Sequence, residues 1–386
     1  MKTKLDLDYL SARSHYDRIM FEILGVQDQP MALWYPALPA STGIGNILRY
    51  ARTGIVPKRW FEIPAAGSGM QGLESRLATF LIVRMARMAG TRVPRPEKIS
   101  NDSGEEIAGQ IIQWLDEYGG CVFQSYVSGA VRVARELSGK RDDLDGLLMI
   151  VGSEPLTEAK RRGMESRGAR IYSRYMATEI GTIAMGCGNP ETIDELHLMS
   201  DMVAAVQEDG VIEGETGPLY FTALDRVMPK VMLNVQLGDM AVVHSRQCGC
   251  PFEDLGFSTH LSHVRSHSRH TGEGMALSAS RLEGIINDVL VPVYGGSSVD
   301  YQWFEMENDD GVTRVEIRVS PRIGEVDEDR LMQDLINELL KGDEGEQLMT
   351  RIWVQTGVLS VVRKEPESTG KGKNVPLLHE RTNRMK

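Results

Sequence analysis

The sequence predicts an α/β protein in which a large domain with a parallel sheet is followed by a small α+β domain. Three patterns indicate this fold class: strands alternate with helices between residues 128 and 173, short strands without helices follow, and the order α-β-β-α-β begins near residue 265. Strands separated by helices pair in parallel through right-handed crossovers. We therefore expect a core domain over residues 1–264 and a C-terminal domain over 265–386.

Length and composition exclude several classes of protein. The chain has 386 residues, of which 41% are hydrophobic and 25% charged, so it is neither disordered nor collagen-like. Its net charge of -11 opposes binding to nucleic acids and anionic membranes. The apolar run 77–83 is too short for a membrane span, which needs about 18 residues. The first residues lack the apolar segment of a secretory signal, so we expect a cytoplasmic location.

The N-terminal third gives a mixed pattern. Pro30, Pro36 and Pro39 interrupt the first 60 residues, which we interpret as a short helix and loops. Apolar side chains then recur at helical spacing over 73–89 and again over 105–118. Both of these segments are predicted to be helices.

The parallel part of the sheet is predicted from four elements. The pattern gives helices over 128–137 and 157–167 and strands over 147–151 and 169–173. Ser128 and Thr157 are suitable N-caps, because a hydroxyl accepts from the free amides of a first helical turn. Parallel sheets bind ligands at the carboxyl ends of their strands, so the loops after the two strands are expected at one functional edge.

The remaining elements follow two patterns. Short half-buried strands, which favour antiparallel pairing, are predicted over 202–206, 219–222 and 241–244. In the C-terminal domain we predict helix 281–290, strands 301–307 and 312–319, helix 328–340, and a last strand over 351–354 or 358–362. A polar segment, 364–386, ends the chain.

The segment from Tyr175 to Gly181 reads Tyr-Met-Ala-Thr-Glu-Ile-Gly and follows a predicted buried strand. Thr178 offers a hydroxyl for a phosphate oxygen, and Glu179 offers a carboxylate for Mg²⁺. Taken alone, Glu179 is more typical of a solvated loop carboxylate.

Further motifs stand in a consistent order around this segment: Gly152-Ser-Glu-Pro155, Gly214-Glu-Thr-Gly-Pro-Leu219 followed by Thr222, and Gly238-Asp239. In these motifs the chain resembles the adenylate-forming (ANL) superfamily, specifically its phenylacetate-CoA ligase-like branch. The resemblance extends over residues 105–381. It implies a large domain with a parallel sheet and a β-region, and a mobile C-terminal α+β lid domain.

The resemblance implies a nucleotide site made of Glu154, Pro155, Tyr175, Thr178, Glu179 and Asp239. Glu154 and Tyr175 border the adenine, and Thr178 and Glu179 serve the phosphate and Mg²⁺. Asp239 is implied to bind the ribose hydroxyls. A carboxylate suits that role because it accepts two hydrogen bonds from a vicinal diol.

The lid supplies two further implied residues. Arg265 matches the arginine of the family's hinge, and Lys373, with Arg381 behind it, resembles the Gly-Lys…Arg signature of the lid. A lysine ammonium there neutralises charge that develops in the transition state. Lys371 has the same local form and is the alternative, and a solvated basic tail is the interpretation without a function.

The family's Ser/Thr/Gly-rich phosphate loop has its best match in residues 51–58, which keep Thr53 and Lys58 for ATP binding. Residues 65–69 are a poorer match. Residues 51–58 lack several residues of the family pattern, so the loop is degenerate. The interval from this loop to Gly152 is also shorter than in the family, so the N-terminal region is shortened. Met176 stands where the motif has glycine, which narrows the expected pocket.

Three cysteines and one histidine suggest a structural zinc site. Cys248-Gly-Cys250 is a close pair, and Cys187 and His197 precede it. Three thiolates and an imidazole are the ligands of a closed tetrahedral zinc site, and related ligases show the same order. The alternative is unrelated free thiols and an ordinary histidine. Cys121 is expected in the core.

A second histidine group has helical spacing. His260, His263, His267 and His270 would align on one face of a helix. A metal site there is the weaker interpretation, because no thiolate or carboxylate partners stand at matching positions. A surface hinge is favoured.

The resemblance implies ATP-dependent activation of a small carboxylic acid to an acyl-adenylate, followed by thioester formation with CoA or a carrier protein. Its cofactors would be ATP and Mg²⁺, with Zn²⁺ as the structural metal. Two alternatives stay open: a nucleotide- or acyl-adenylate-binding module without turnover, and an enzyme that passes the acyl group to an amine or a reductase partner. Neither the acid nor the oligomeric state is indicated.

Overall fold

The computed structural model describes residues 7–63, 70–99, 104–208, 215–228, 230–266, 269–367 and 375–379. The chain divides into two compact units, Met1–His267 and Ser268–Lys386. Among the described helices, none combines the length and the apolar character that a bilayer span requires.

The first unit alternates helices and strands before its β-region. Its helices are α1 (Leu7–Leu24), α2 (Thr42–Arg52), α3 (Met70–Met88), α4 (Glu105–Tyr118), α5 (Val127–Ser138), α6 (Glu158–Glu165) and α7 (Pro251–Asp254). Its strands are β1 (Met31–Pro36), β2 (Arg59–Ile63), β3 (Pro96–Lys98), β4 (Cys121–Tyr126), β5 (Leu147–Gly152), β6 (Arg170–Ala177), β7 (Gly181–Gly186), β8 (Leu196–Leu198), β9 (Val203–Val206), β10 (Gly217–Ala223), β11 (Val235–Ser245) and β12 (Thr259–Ser266).

One twelve-stranded sheet contains all of these strands, in the order β3-β2-β1-β4-β5-β6-β7-β8-β12-β11-β10-β9. The strands from β3 to β6 pair in parallel. From β6 onward every pair is antiparallel. The predicted α/β class is confirmed, with a parallel sheet that continues into an antiparallel region.

The prediction of a short helix and loops for the first 60 residues was wrong. Strands β1 and β2 lie in the middle of the parallel sheet, and every residue of β1 is buried. A strand that is covered on both faces shows no alternation of polar and apolar residues, so its sequence pattern does not identify it as a strand. Pro30 and Pro36 stand at the two ends of β1 rather than inside a helix.

Helix α3 forms where predicted but turns its apolar side outward. The exposed fractions are 67% for Leu73, 56% for Leu77 and 79% for Met88, while the smaller Thr79 and Val83 are buried. The periodicity therefore identified the helix correctly but did not show which face packs. Leu73 and Leu77 are exposed within the described part of the chain.

The second unit is α+β. It contains β13 (Arg269–Gly272), β14 (Met275–Ser278), α8 (Ala279–Ile285), a π-helical turn (Ile286–Leu290), α9 (Val291–Tyr294), β15 (Tyr301–Glu307), β16 (Thr313–Val319), α10 (Glu328–Leu339), α11 (Glu344–Thr356), β17 (Leu359–Arg363) and β18 (Leu377–His379). A four-stranded sheet, β17-β16-β15-β18, packs on the helices around Trp303, Leu335 and Trp353. Of the two alternatives for the last predicted strand, β17 matches 358–362, because 351–354 lies within α11.

Candidate functional site

Strand register places the predicted motifs at the carboxyl edge of the parallel sheet. Tyr126, Gly152 and Arg174 lie at the same level on β4, β5 and β6. The Gly152-Ser-Glu-Pro155 turn leaves β5 at this edge, and Tyr175 follows one residue beyond Arg174. This is the edge at which open α/β sheets bind their ligands.

Tyr175 and Asp239, which are 64 positions apart, meet directly. The Tyr175 hydroxyl donates a hydrogen bond to Asp239 Oδ2 at 2.6 Å, and the Tyr175 ring lies 6.2 Å from the ring of Phe221 on β10. Three strands separate β6 from β11 in the sheet order, so the sheet curls to bring the two residues together. An aromatic ring and a carboxylate thus face one space at the carboxyl edge.

Thr178 and Glu179 form the tight turn between β6 and β7. Thr178 is exposed and Glu179 half-buried, so both are open to a ligand. The turn ends at Gly181, whose φ of +99° favours glycine. On its inner side, the Tyr9 hydroxyl of α1 donates to the Ile180 carbonyl at 3.1 Å.

Glu154 supports a helix in this structure. Its carboxylate accepts from the Ser128 amide at 2.9 Å and from the Ser128 hydroxyl at 2.8 Å, in the first turn of α5. A carboxylate is stabilised there because the first-turn amides lack helical partners. Ser128 was predicted as the N-cap, but Tyr126 holds that position. By contrast, Thr157 caps α6 as expected, accepting from the Lys160 amide.

Arg265 lies on β12 beside the strand that carries Asp239. It pairs with Met240 across the ladder, while Asp239 pairs with Ser266. The Arg265 guanidinium donates to Asp194 Oδ2 at 2.9 Å. Arg265, which was predicted to mark the hinge, is therefore held by the Asp194 carboxylate. It lies three positions before Ser268, where the second unit begins.

The structure contradicts the assignment of Thr53 and Lys58 to a phosphate loop. Lys58 precedes β2 and its amide donates to the Met31 carbonyl, which puts it at the amino ends of the parallel strands. Following the register across to β6, Tyr175 lies about 16 Å further along the strand direction. Thr53 ends α2 near this same edge, and its hydroxyl donates to the Tyr50 carbonyl at 2.7 Å. Neither residue belongs to the candidate site.

Several predicted residues lie outside the described part of the chain. These are Lys371, Lys373 and Arg381 of the tail, Gly214 of the β-region motif, His267, and the alternative phosphate loop 65–69.

The four predicted zinc ligands converge. The Sγ atoms of Cys187, Cys248 and Cys250 and a ring nitrogen of His197 all lie within 4.8 Å of one another. His197 Nε2 is 3.0 Å from Cys250 Sγ and 3.5 Å from Cys248 Sγ. Tetrahedral zinc, with Zn–S of about 2.3 Å and Zn–N of about 2.0 Å, needs separations of about 3.5 to 3.8 Å. These residues fit a zinc ion with small adjustments.

The surroundings of His197 and Cys250 favour the protonation states that can bind a metal ion. The Phe257 carbonyl lies 2.6 Å from His197 Nδ1, so that nitrogen carries the proton and Nε2 presents its lone pair to the thiols. Burial lowers the pKa of His197 to about 4, which keeps the ring neutral. Although burial opposes it, backbone amides at Gly188 and Phe252 lower the pKa of the Cys250 thiol. The φ of +66° at Gly249 gives the turn between the paired cysteines.

A group of polar side chains beside the cysteines and His197 was not predicted from the sequence. Fully buried Glu195 accepts from Arg246 at 2.6 and 2.8 Å and lies 2.9 Å from His244 Nε2. Burial raises the pKa of Glu195, but Arg246, a backbone amide and His244 outweigh it and lower the pKa to about 2. Arg246 also reaches to 3.8 Å from Cys187 Sγ. The signal in the sequence was a charged residue two positions before Cys248.

The helical alignment of four histidines was wrong. His260 and His263 lie on β12 and His270 on β13, where side chains alternate rather than follow a helical period. His260 instead stands in register with His197 on one side and His244 on the other. These three histidines form a row across the sheet because neighbouring strands place paired residues side by side.

Solved structures share the fold, whereas the sequence matches no protein-family profile and no curated protein. A double mutant of o-succinylbenzoate CoA synthetase from Bacillus subtilis, bound to a product analogue, covers 94% of this chain at a TM-score of 0.50 and 10% identity. The chain has the adenylation-domain fold. An amide bond synthetase from Marinactinospora thermotolerans (92% of the chain, TM-score 0.48, 12% identity) and an NRPS protein containing adenylation and PCP domains (95%, 0.44, 13%) are also similar.

The chain is shorter than these adenylation-fold proteins. It spans 63% of the length of the CoA synthetase, 64% of the amide bond synthetase and 77% of the NRPS protein. Other structures of the B. subtilis synthetase are complexes with ATP and magnesium ion or with AMP.

Proposed function

We propose that the protein activates a small carboxylic acid with ATP. The observation that carries this proposal is the Tyr175–Asp239 hydrogen bond, which joins the adenine-side aromatic and the ribose-side carboxylate at the carboxyl edge of an adenylation fold. A carboxylate oxygen of the acid attacks the α-phosphorus, and the bond to the pyrophosphate oxygen breaks. The products are an acyl-adenylate and pyrophosphate.

Each residue in this proposal has a distinct task. Asp239 accepts hydrogen bonds from the ribose hydroxyls, and the Tyr175 hydroxyl holds that carboxylate in place. Glu179 would hold Mg²⁺, which supplies neutralising charge at the phosphates. Thr178 donates its hydroxyl to a phosphate oxygen. We propose Lys373, which lies outside the described residues, as the cation that neutralises the charge developing in the transition state.

Residues 64–69 contain the alternative to residues 51–58 for the phosphate loop. These residues stand in the sequence between Ile63, the last residue of β2, and Met70, the first residue of α3, and they lie outside the described residues. They read Pro-Ala-Ala-Gly-Ser-Gly. Glycine-rich connections that precede a helix suit phosphate, because free backbone amides and the helix dipole both favour an anion. We propose this segment for the β- and γ-phosphates.

We propose CoA or a carrier protein as the acyl acceptor, following the resemblance to phenylacetate-CoA ligases. The Cys187–His197–Cys248–Cys250 group is proposed to bind a structural zinc ion that joins the β7–β8 connection to the segment after β11. Closed sites of this composition stabilise folds and leave no position for a substrate.

A nucleotide-binding module without turnover is the second candidate. The displacement of Thr53 and Lys58 to the opposite edge favours it, because it removes the better of the two matches to the phosphate loop. Such a module would bind AMP through Tyr175 and Asp239 but would not release pyrophosphate.

The deciding experiment is carboxylate-dependent ATP–pyrophosphate exchange across a panel of aryl and fatty acids, with metal content measured on the same preparation. We expect exchange with at least one acid, and one equivalent of zinc. AMP binding by calorimetry without exchange would establish the module. If neither pyrophosphate exchange nor AMP binding is detected, both candidate functions are excluded.

Substitution of Asp239 by Asn is expected to weaken AMP binding by about 10- to 100-fold, since a hydrogen bond to a charged group contributes about 1.5 to 3 kcal/mol. Tyr175→Phe should have a smaller effect, because it leaves the carboxylate but frees it to move. Calorimetric titration with AMP measures both. Equal affinities for wild type and the Asp239 variant would contradict the ribose assignment.

A further inference from the structure

Three buried arginines from different elements converge in the interior of the first unit. Arg13 on α1, Arg49 on α2 and Arg174 on β6 are 8%, 3% and 6% exposed. The Asp17 carboxylate forms ion pairs with two of them. Arg49 Nε donates to Asp17 Oδ2 at 2.7 Å, and Arg174 Nη1 lies 3.4 Å from Oδ1.

The remaining partners are neutral. Arg174 donates to the Tyr50 hydroxyl at 3.0 Å, and Arg13 donates to the Tyr9 hydroxyl at 3.2 Å. Burial raises the pKa of both tyrosines, so neither supplies a negative charge at pH 7. Burial, together with Arg49, lowers the pKa of Arg13 only to about 10, so this guanidinium stays charged. Among the described residues, Asp17 is therefore the one carboxylate that forms an ion pair within this group of three buried cations, and charges taken out of water need compensation.

The same arginines present unused donors. Within the described residues, Arg13 Nε and Nη2 and Arg174 Nε are buried and have no hydrogen-bond partner. Nε and Nη2 form one edge of a guanidinium, and two parallel N–H groups on such an edge match the two oxygens of a carboxylate. Buried donors without acceptors are costly, so native structures pair them.

We propose that Arg13 and Arg174 bind a small carboxylate anion on the inner side of the β6–β7 turn. The anion accepts from the free edge of Arg13 and from Arg174 Nε, and it compensates the excess positive charge. Its position matters for the candidate site, because Arg174 directly precedes Tyr175 and the Arg13 partner Tyr9 holds the Ile180 carbonyl. Occupancy therefore steadies the turn that carries Thr178 and Glu179.

Two sources supply a carboxylate: a free small anion and the carboxyl group of an acid substrate. Thermal unfolding with formate, in the absence of ATP and at constant ionic strength balanced by the bulky sulfonate MES, tests the free anion. We expect the Tm of wild type to rise with formate and to saturate, by about 5 °C at 100 times the Kd. If the Tm of wild type rises with acids that are active in the exchange assay but not with formate, the substrate is the source of the carboxylate. This comparison rests on the proposed function.

Arg13→Met is expected to abolish the saturable rise and to unfold at or above the Tm of wild type without anion, because it removes an uncompensated buried charge. Arg13→Lys keeps the charge but loses the two-donor edge, and should weaken formate binding at least tenfold. Arg18→Met, on the same helix with an exposed side chain, is the matched control and should respond like wild type. An equal response of wild type and the Arg13 variants, or no response of wild type to any carboxylate, would overturn the site.

Discussion

Replacing Glu179 by Gln is expected to lower carboxylate-dependent ATP–pyrophosphate exchange by about 100-fold or more. Glutamine has the same shape but lacks the charge that holds Mg²⁺ beside the phosphates. Removing one preorganised electrostatic contact from a transition state costs about 10²- to 10³-fold in rate. Because Glu179 is half-buried in a surface turn, its substitution should leave the fold intact. Initial exchange rates at saturating acid and varied Mg²⁺ measure the effect.

Glu158→Gln is the control for this loss. Glu158 is an exposed carboxylate at the start of α6, where it pairs with Arg162 at 3.6 Å. Its substitution should change exchange by less than a factor of two, as expected for a surface pair. Exchange that is unchanged in the Glu179 variant, at equal Tm, would place the magnesium ligand elsewhere.

Cys250→Ser is expected to remove the bound metal and to destabilise the first unit by about 4 kcal/mol or more, because loss of a structural metal is among the few causes of such large effects. The corresponding fall in Tm is about 10 °C for a unit of this size. Cys250 is 1% exposed and lies 3.0 Å from His197 Nε2, so serine cannot relax away from the other ligands. Metal analysis and thermal unfolding of the same sample test both outcomes.

Cys121→Ala is the matched control, since Cys121 is a buried thiol on β4 remote in sequence from the cluster. It should keep one equivalent of zinc. Treatment with a chelator should lower the Tm of wild type and of this control, but not that of the Cys250 variant. A wild-type Tm that is insensitive to chelation, with no zinc in the purified protein, would show that the cluster is a group of free thiols.

The middle of the sheet was predictable because its signals are local. Strands β5 and β6 and helices α5 and α6 follow from alternating apolar runs, caps and glycines, each of which acts within a few residues. The N-terminal strands β1 and β2 were missed because a strand buried on both faces carries no alternation, and because the prolines beside β1 resemble those of a loop. Burial of this kind is decided by elements distant in the chain.

The candidate site divides in the same way. Tyr175 and Asp239 were predicted from the motifs that carry the resemblance, and the group of three cysteines and His197 from residue type and spacing. The structure brings each of these two sets together. The misplaced Thr53 and Lys58 show the limit of such motifs, because a sequence match does not specify at which end of a strand it will lie. The pairing of Glu195 with Arg246 has only a weak signal in the sequence, because the two residues are 51 positions apart.

By itself the sequence determined which side chains are available for chemistry: a threonine and a carboxylate in one turn, a C-x-C pair, and a distant aspartate. Tertiary structure alone decided which of them meet. The curl of the sheet brings Asp239 to Tyr175, and α1, α2 and β6 together enclose three arginines beside Asp17. Such convergence has no local signature, because the energy of burying a charge depends on every element that excludes water from it.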